Sequence, residues 1–66
     1  MNKKERVEVI KNIIKHEKLD LTKIQNYTGM SMRERISLMD GDYKNIKEST
    51  LEMLEFRLKN YINLLK

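Results

Sequence analysis

The 66-residue sequence contains no cysteine, no tryptophan and a single histidine. Without cysteine the fold can have neither a disulfide nor a thiolate metal site, and one histidine argues against a zinc site. We therefore expect no metal and no cofactor. A chain of this length buries only ~60% of the surface that its unfolded form exposes, so its stability has to come from packing alone or from packing plus a partner.

Long apolar runs are also missing. The uncharged run at residues 61–65 is far shorter than the ~20 apolar residues of a membrane span. The basic start at residues 1–4 is not followed by an apolar segment, because Glu5, Arg6 and Glu8 interrupt it. These features predict a cytoplasmic protein with no membrane contact and no secretory signal.

Residues that break helices are scarce, since proline is absent and the only glycines are Gly29 and Gly41. Such a chain is predicted to be all-helical. Apolar residues recur at helical spacing from Val7 to Ile14, which predicts a first amphipathic helix at about residues 4–17.

The second helix is predicted at residues 21–28. Asp20 is a good N-cap, because its carboxylate can accept hydrogen bonds from the free amides of the first turn. Gly29 tolerates the left-handed conformation that often ends a helix. This helix is therefore short, about two turns.

The third helix is predicted at residues 32–39. Ser31 followed by Glu34 is the pattern of a capping box, in which each side chain binds a free amide of the helix start. Asp40 and Gly41 end the helix. Three apolar residues share one face of it and are expected to point inward: Met32, Ile36 and Met39.

The last helix is predicted at about residues 50–65, after a polar loop that Ile46 anchors to the core. Ser49 and Glu52 have the spacing of its capping box. Five residues spaced three and four apart form a continuous apolar seam along one side of this helix: Leu51, Leu54, Leu58, Tyr61 and Leu65.

Further apolar residues lie off that seam at Met53, Phe56 and Ile62. Two apolar sides on one helix of so small a protein predict that one packs on the core and the other on a second copy. The alternative is a single wide core face covered by the other three helices. The predicted homodimer interface consists of Leu54, Leu58, Tyr61, Ile62 and Leu65.

The segment from Leu19 to Gly41 places two capped helices on either side of a three-residue turn. A tight turn with glycine makes the helices cross steeply, so that the second can enter a DNA major groove. Over about residues 6–58 the sequence resembles the Cro/CI-type, or Xre-like, repressor family. The residues that carry the resemblance are Ile10, Leu19, Asp20, Ile24, Gly29, Met30, Ser31, Ile36, Ser37, Gly41, Ser49, Thr50, Leu51, Leu54 and Leu58.

This resemblance implies an all-α, lambda-repressor-like helix-turn-helix domain with a long C-terminal helix. The domain has four helices, or five if the last one divides. Two residues depart from the family pattern. Gln25 replaces a small alanine at the helix crossing, and Arg35 stands where a buried aliphatic residue is usual, with Ile36 one place later. Either the third helix is rotated with Arg35 at its edge, or the turn carries one extra residue.

The charge balance suits a polyanionic partner, with 14 Lys and Arg against 10 Asp and Glu and a net charge of +4. Four residues of the third helix and its cap are expected to read bases: Ser31, Arg33, Glu34 and Ser37. Seven residues are expected to contact the DNA backbone: Thr22, Lys23, Arg35, Tyr43, Lys44, Asn45 and Lys47.

The sequence thus predicts a DNA-binding transcriptional regulator, most simply a repressor of a phage, plasmid or other mobile element, that binds double-stranded DNA as a dimer at a palindromic operator. Catalysis has little support, because His16 has no nucleophile or carboxylate at a suitable spacing. The alternative is a small protein-binding module, such as an antirepressor or anti-defence factor, that acts on a protein partner.

Overall fold

The computed structural model describes the backbone of residues 2–65 and the side chains of residues 2–59. This part of the chain folds into four α-helices and contains no strand, so the prediction of an all-helical fold is confirmed. The last helix runs without a break, and no fifth helix occurs within the same residues. The elements are α1 (Lys3–His16), α2 (Leu21–Thr28), α3 (Met32–Asp40), a 3₁₀ turn (Tyr43–Asn45) and α4 (Glu48–Leu65).

Helix α1 lies one residue earlier than predicted. The side chain of Asn2 caps it by accepting a hydrogen bond of 2.8 Å from the backbone N–H of Glu5. At the other end, Lys18 takes the left-handed conformation with a φ of 53°, which stops the helix and turns the chain towards α2. The chief contact of α1 is with α4.

The predicted ends of α2 and the predicted start of α3 are confirmed. Asp20 accepts from the N–H groups of Thr22 and Lys23 at 2.9 and 3.4 Å. Gly29 ends α2 with a φ of 69°, a conformation that residues with a Cβ rarely adopt. Ser31 and Glu34 form the capping box at the start of α3.

The core lies between α1 and α4 and is closed by α2, α3 and the segment after α3. Ile46 anchors that segment and is fully buried, as predicted. The buried apolar residues are Val7, Ile10, Ile13, Ile14, Ile24, Met30, Leu38, Ile46, Leu51, Leu54 and Leu58.

The predicted inward face of α3 is wrong. Met32 and Ile36 are 55% and 56% exposed, and Met39 is only partly buried. Leu38 is the apolar residue that α3 contributes to the core. Apolar residues lie on two sides of this helix. The side with Leu38 faces the core, because the capping box turns Glu34 inward on that same side. Helix α3 is therefore rotated, as in the first of the two alternatives.

Helix α4 also differs from its prediction. It begins at Glu48, so that Ser49 lies inside the helix rather than at a cap. Leu54 and Leu58 are buried in the chain's own core, which makes their assignment to a dimer interface wrong. The other residues of the predicted interface lie outside the described side chains: Tyr61, Ile62 and Leu65.

An ion-pair clamp that the sequence did not reveal joins α1 to α4. The guanidinium of Arg6 donates from Nε to Glu55 at 2.9 Å, from Nη2 to the same carboxylate, and from Nη1 to Glu48 at 2.6 Å. The hydrogen bonds to Glu55 and then to Glu48 raise the pKa of Arg6 above its usual value, so this cation stays charged at any ordinary pH.

Among the described residues, no helix has the length and apolar character to cross a bilayer.

Replacing Leu38 by alanine should cost far more stability than replacing Ile36. Leu38 is fully buried whereas Ile36 is exposed, so we expect Leu38→Ala to lower the free energy of unfolding by ~2–5 kcal/mol and Ile36→Ala to change it by less than ~0.5 kcal/mol. Urea titration of both variants, with the slope of each transition compared to the parent chain, measures the difference. Equal losses would contradict this rotation of α3, and a larger loss for Ile36→Ala would indicate the opposite one.

Candidate nucleic-acid interface

The outward face of α3 is the most distinctive exposed surface of the described chain. It presents two large apolar side chains, Met32 and Ile36, next to the exposed cation Arg33. The helix has only nine residues, but it is capped at both ends, by Ser31 and by Gly41. Side chains on this face therefore project from a helix whose rotation and ends are both determined.

Arg35 lies at the edge of α3 rather than on its outward face. It is half-buried, and its Nη1 donates to Oε1 of Gln25 on α2 at 3.3 Å. This hydrogen bond joins the two positions that depart from the family pattern. The polar pair across the helix crossing takes the place of the small residue and the aliphatic residue expected there.

A basic cleft opens at the N-terminal end of α3, with a volume of about 440 Å³. Three elements form it: the first turn of α1, the start of α3 and the segment from the 3₁₀ turn to α4. It brings four cationic residues together around a single carboxylate. The residues lining this basic cleft are Lys3, Ser31, Arg33, Glu34, Lys44, Asn45, Ile46 and Lys47.

Glu34 is the carboxylate of the basic cleft, and it is only 5% exposed. Its Oε1 accepts from the N–H of Ser31 at 3.1 Å, and its Oε2 accepts from the N–H of Lys47 at 3.0 Å. Burial by itself raises the pKa of this carboxyl, but the hydrogen bonds from Lys47, from Ser31 and from the hydroxyl of Thr50 outweigh it and hold the pKa below the usual 4.5. Glu34 is therefore an ionised structural group.

Two of the four predicted base-reading residues are contradicted by their burial. Glu34 has both carboxylate oxygens engaged, and Ser37 is only 6% exposed on the inner side of α3. Ser31 is exposed, but its Oγ accepts from the N–H of Glu34 at 3.1 Å and serves the cap. Arg33 alone keeps an exposed side chain without such a structural role among the hydrogen bonds of the described residues.

The predicted backbone-contacting residues fall into separate groups. Lys44 and Lys47 have exposed side chains and line the basic cleft. Asn45 lines it too, but its Nδ2 donates to Asp42 at 2.5 Å. Tyr43 is partly buried against the core rather than free on the surface.

Thr22 and Lys23 are exposed on the first turn of α2. Their backbone N–H groups already donate to the carboxylate of Asp20. These two N–H groups are therefore not free to bind a phosphate. Lys23 instead lines an apolar depression of about 220 Å³ between α2 and α4, where the Arg57 guanidinium lies 5.1 Å from the centre of the Tyr27 ring.

Sequence reasoning missed Lys3 as a specific member of the site. Its only signal was the basic start of the chain, because nothing local indicates that the first turn of α1 folds next to Lys44 and Lys47. The outward position of Met32 and Ile36 was missed as well.

Within residues 2–59, no three His, Asp or Glu side chains lie close enough to hold a metal ion.

Comparison of the chain with family models, with characterised proteins and with solved structures finds no match.

Changing Glu34 to glutamine should destabilise the fold, because an amide offers one acceptor oxygen where two backbone N–H groups are bound. Leaving one buried N–H unpaired costs ~1–3 kcal/mol. The carboxyl has a lowered pKa in the folded chain, so its contribution is complete above the usual value of 4.5 and is lost as the pH falls through the lower folded value.

The difference in stability between the parent chain and Glu34→Gln should therefore be largest at neutral pH and shrink on acidification. Urea unfolding at several pH values measures it, with Glu52→Gln on the exposed surface of α4 as the matched control. A difference that stays constant down to strongly acidic pH would show that the charge of Glu34 does not matter.

Proposed function

We propose that this chain is a sequence-specific double-stranded DNA-binding protein of the helix-turn-helix kind, which places α3 in the major groove. The observation that carries the proposal is the outward face of α3, with Arg33, Met32 and Ile36, directly beside the basic cleft. A major groove ~12 Å wide accepts a helix of ~10–12 Å diameter. The three-residue turn with Gly29 in the left-handed conformation supports the same arrangement.

The side chains of this face favour a particular set of base contacts. Arg33 can bind guanine O6 and N7 bidentately. Met32 and Ile36 cannot form hydrogen bonds to base edges, but they can pack against the 5-methyl group of thymine. We therefore propose that α3 reads guanine next to thymine, with Glu34 and Ser37 absent from the contacts.

Phosphate contacts are assigned to the basic cleft. Lys3, Lys44 and Lys47 come from two segments and lie beside Arg33 at the start of α3. Contacts of this kind orient a protein on the duplex and supply affinity that depends on salt, whereas base contacts supply specificity. The wider role that we propose is that of a cytoplasmic transcriptional repressor acting at an operator of a mobile element.

A protein-binding module is the second candidate, and the exposed apolar pair on α3 favours it. Side chains such as Met32 and Ile36 also suit the groove of a partner protein. The cations of the basic cleft favour DNA as the partner. A protein that bound the apolar face of α3 would not require four positive charges at the N-terminal end of that helix.

Arg33→Ala should relax sequence preference, while Lys44→Ala should weaken binding to every sequence and lower the dependence of the binding constant on salt by about one ion. The control is Lys15→Ala, an exposed lysine about 18 Å along α1 from Lys3. Selection from random duplexes, followed by titrations of the selected site at several salt concentrations, measures both effects. Absence of any salt-dependent duplex binding would overturn the proposed function and leave the protein-binding alternative.

Replacing thymine by deoxyuridine in the selected site should weaken binding. Each lost methyl contact is worth ~0.8 kcal/mol, or about fourfold in affinity. The Met32→Ala, Ile36→Ala double variant should bind the two duplexes equally. If the parent chain binds both duplexes with equal affinity, then these apolar side chains do not read thymine.

A further inference from the structure

The side of α4 that points away from the core carries an exposed apolar patch. Phe56 is 68% exposed and Met53 is 41% exposed, and with Ser49 and Glu52 they line a shallow surface depression. Leu54 and Leu58 hold the opposite side of the same helix in the core. The patch therefore belongs to a helix that is anchored along its inner face, and its side chains are presented to the solvent.

Opposite charges stand at the two ends of this patch. Glu52 and Lys59 are both exposed and seven residues apart. At about 100° per residue they fall on the same flank of α4, roughly 10 Å apart along the axis, with Phe56 between them. A surface with a negative end, an apolar centre and a positive end is complementary to itself when turned end over end.

We propose that this face pairs with the same face of a second copy of the chain, with the two α4 helices antiparallel about a two-fold axis close to Phe56. In this register Glu52 of each copy lies opposite Lys59 of the other. The two Phe56 rings meet at the axis, and each Met53 packs beside the ring of the other copy. One contact pattern occurs twice, as an isologous interface requires.

The antiparallel orientation follows from the charges. A parallel two-fold pair would place the two Glu52 side chains at one height and the two Lys59 side chains at another, each pair on opposite flanks of the interface, so that no opposite charges would face one another. An antiparallel pair brings each Glu52 to the same flank and height as Lys59 of the other copy, which gives two attractions. The dipoles of two neighbouring helices also favour this orientation.

This interface differs from the one predicted from the apolar seam, because the seam residues Leu54 and Leu58 are inside the fold. It also goes beyond DNA binding and does not depend on it. Two apolar side chains from each copy make an interface at the small end of the range for specific association, so the free dimer is expected to be weak and to form at high protein concentration.

Sedimentation equilibrium over a wide concentration range tests the proposal, with circular dichroism to show that each variant is folded. Phe56→Ser removes the centre of the patch from an exposed position and should weaken dimerisation by about tenfold or more. Glu52→Lys and Lys59→Glu should each weaken it severalfold, because each places like charges opposite one another. The double variant Glu52→Lys, Lys59→Glu should restore the parent value.

Glu5→Lys, which makes the same change of net charge as Glu52→Lys but on the exposed side of α1, is the control and should leave the association unchanged. A chain that stays monomeric at every concentration would overturn the proposal. So would a dimer that is indifferent to Phe56→Ser, or one in which the single and double charge variants behave alike, since the latter is the result expected of a parallel pair.

Discussion

The carboxylate of Glu34 holds together the parts of the molecule on which the candidate interface depends. One oxygen binds the first turn of its own helix through Ser31, and the other binds the start of the next segment through Lys47. This second bond spans 13 residues of sequence. The rotation of α3, the start of α4 and the position of the 3₁₀ turn are thus set by one buried ionised group that is fully satisfied, which is the condition under which a buried charge stabilises a fold.

The rotation of α3 determines which chemistry the helix offers to a partner. With Glu34 and Leu38 turned inward, the polar residue Ser37 goes inward too, and the apolar residues Met32 and Ile36 come out. A face that could have been a row of hydrogen-bonding groups becomes an apolar surface flanked by arginine. This face therefore offers apolar contact and shape as much as hydrogen-bonding groups.

Local features of the fold could be predicted from the sequence, and long-range ones could not. Asp20, Gly29 and the Ser31–Glu34 box act within a few residues of themselves, so the limits of α2 and the start of α3 were predicted correctly. The rotation of α3 was not, because apolar spacing cannot rank two competing faces when Leu38 lies on one and Ile36 on the other. The Arg6 clamp joins residues 49 apart, and the basic cleft joins Lys3 to Lys44. No local pattern records such pairs.

The basic cleft has a consequence for the free protein as well as for any complex. Four cationic side chains are gathered at one concave surface, while the only carboxylate among them is committed to backbone amides. Folding therefore brings to one surface cationic side chains that come from separate parts of the sequence. Because this arrangement exists only in the folded chain, a polyanion that binds the cleft would stabilise the folded state, and its binding would be thermodynamically linked to folding stability.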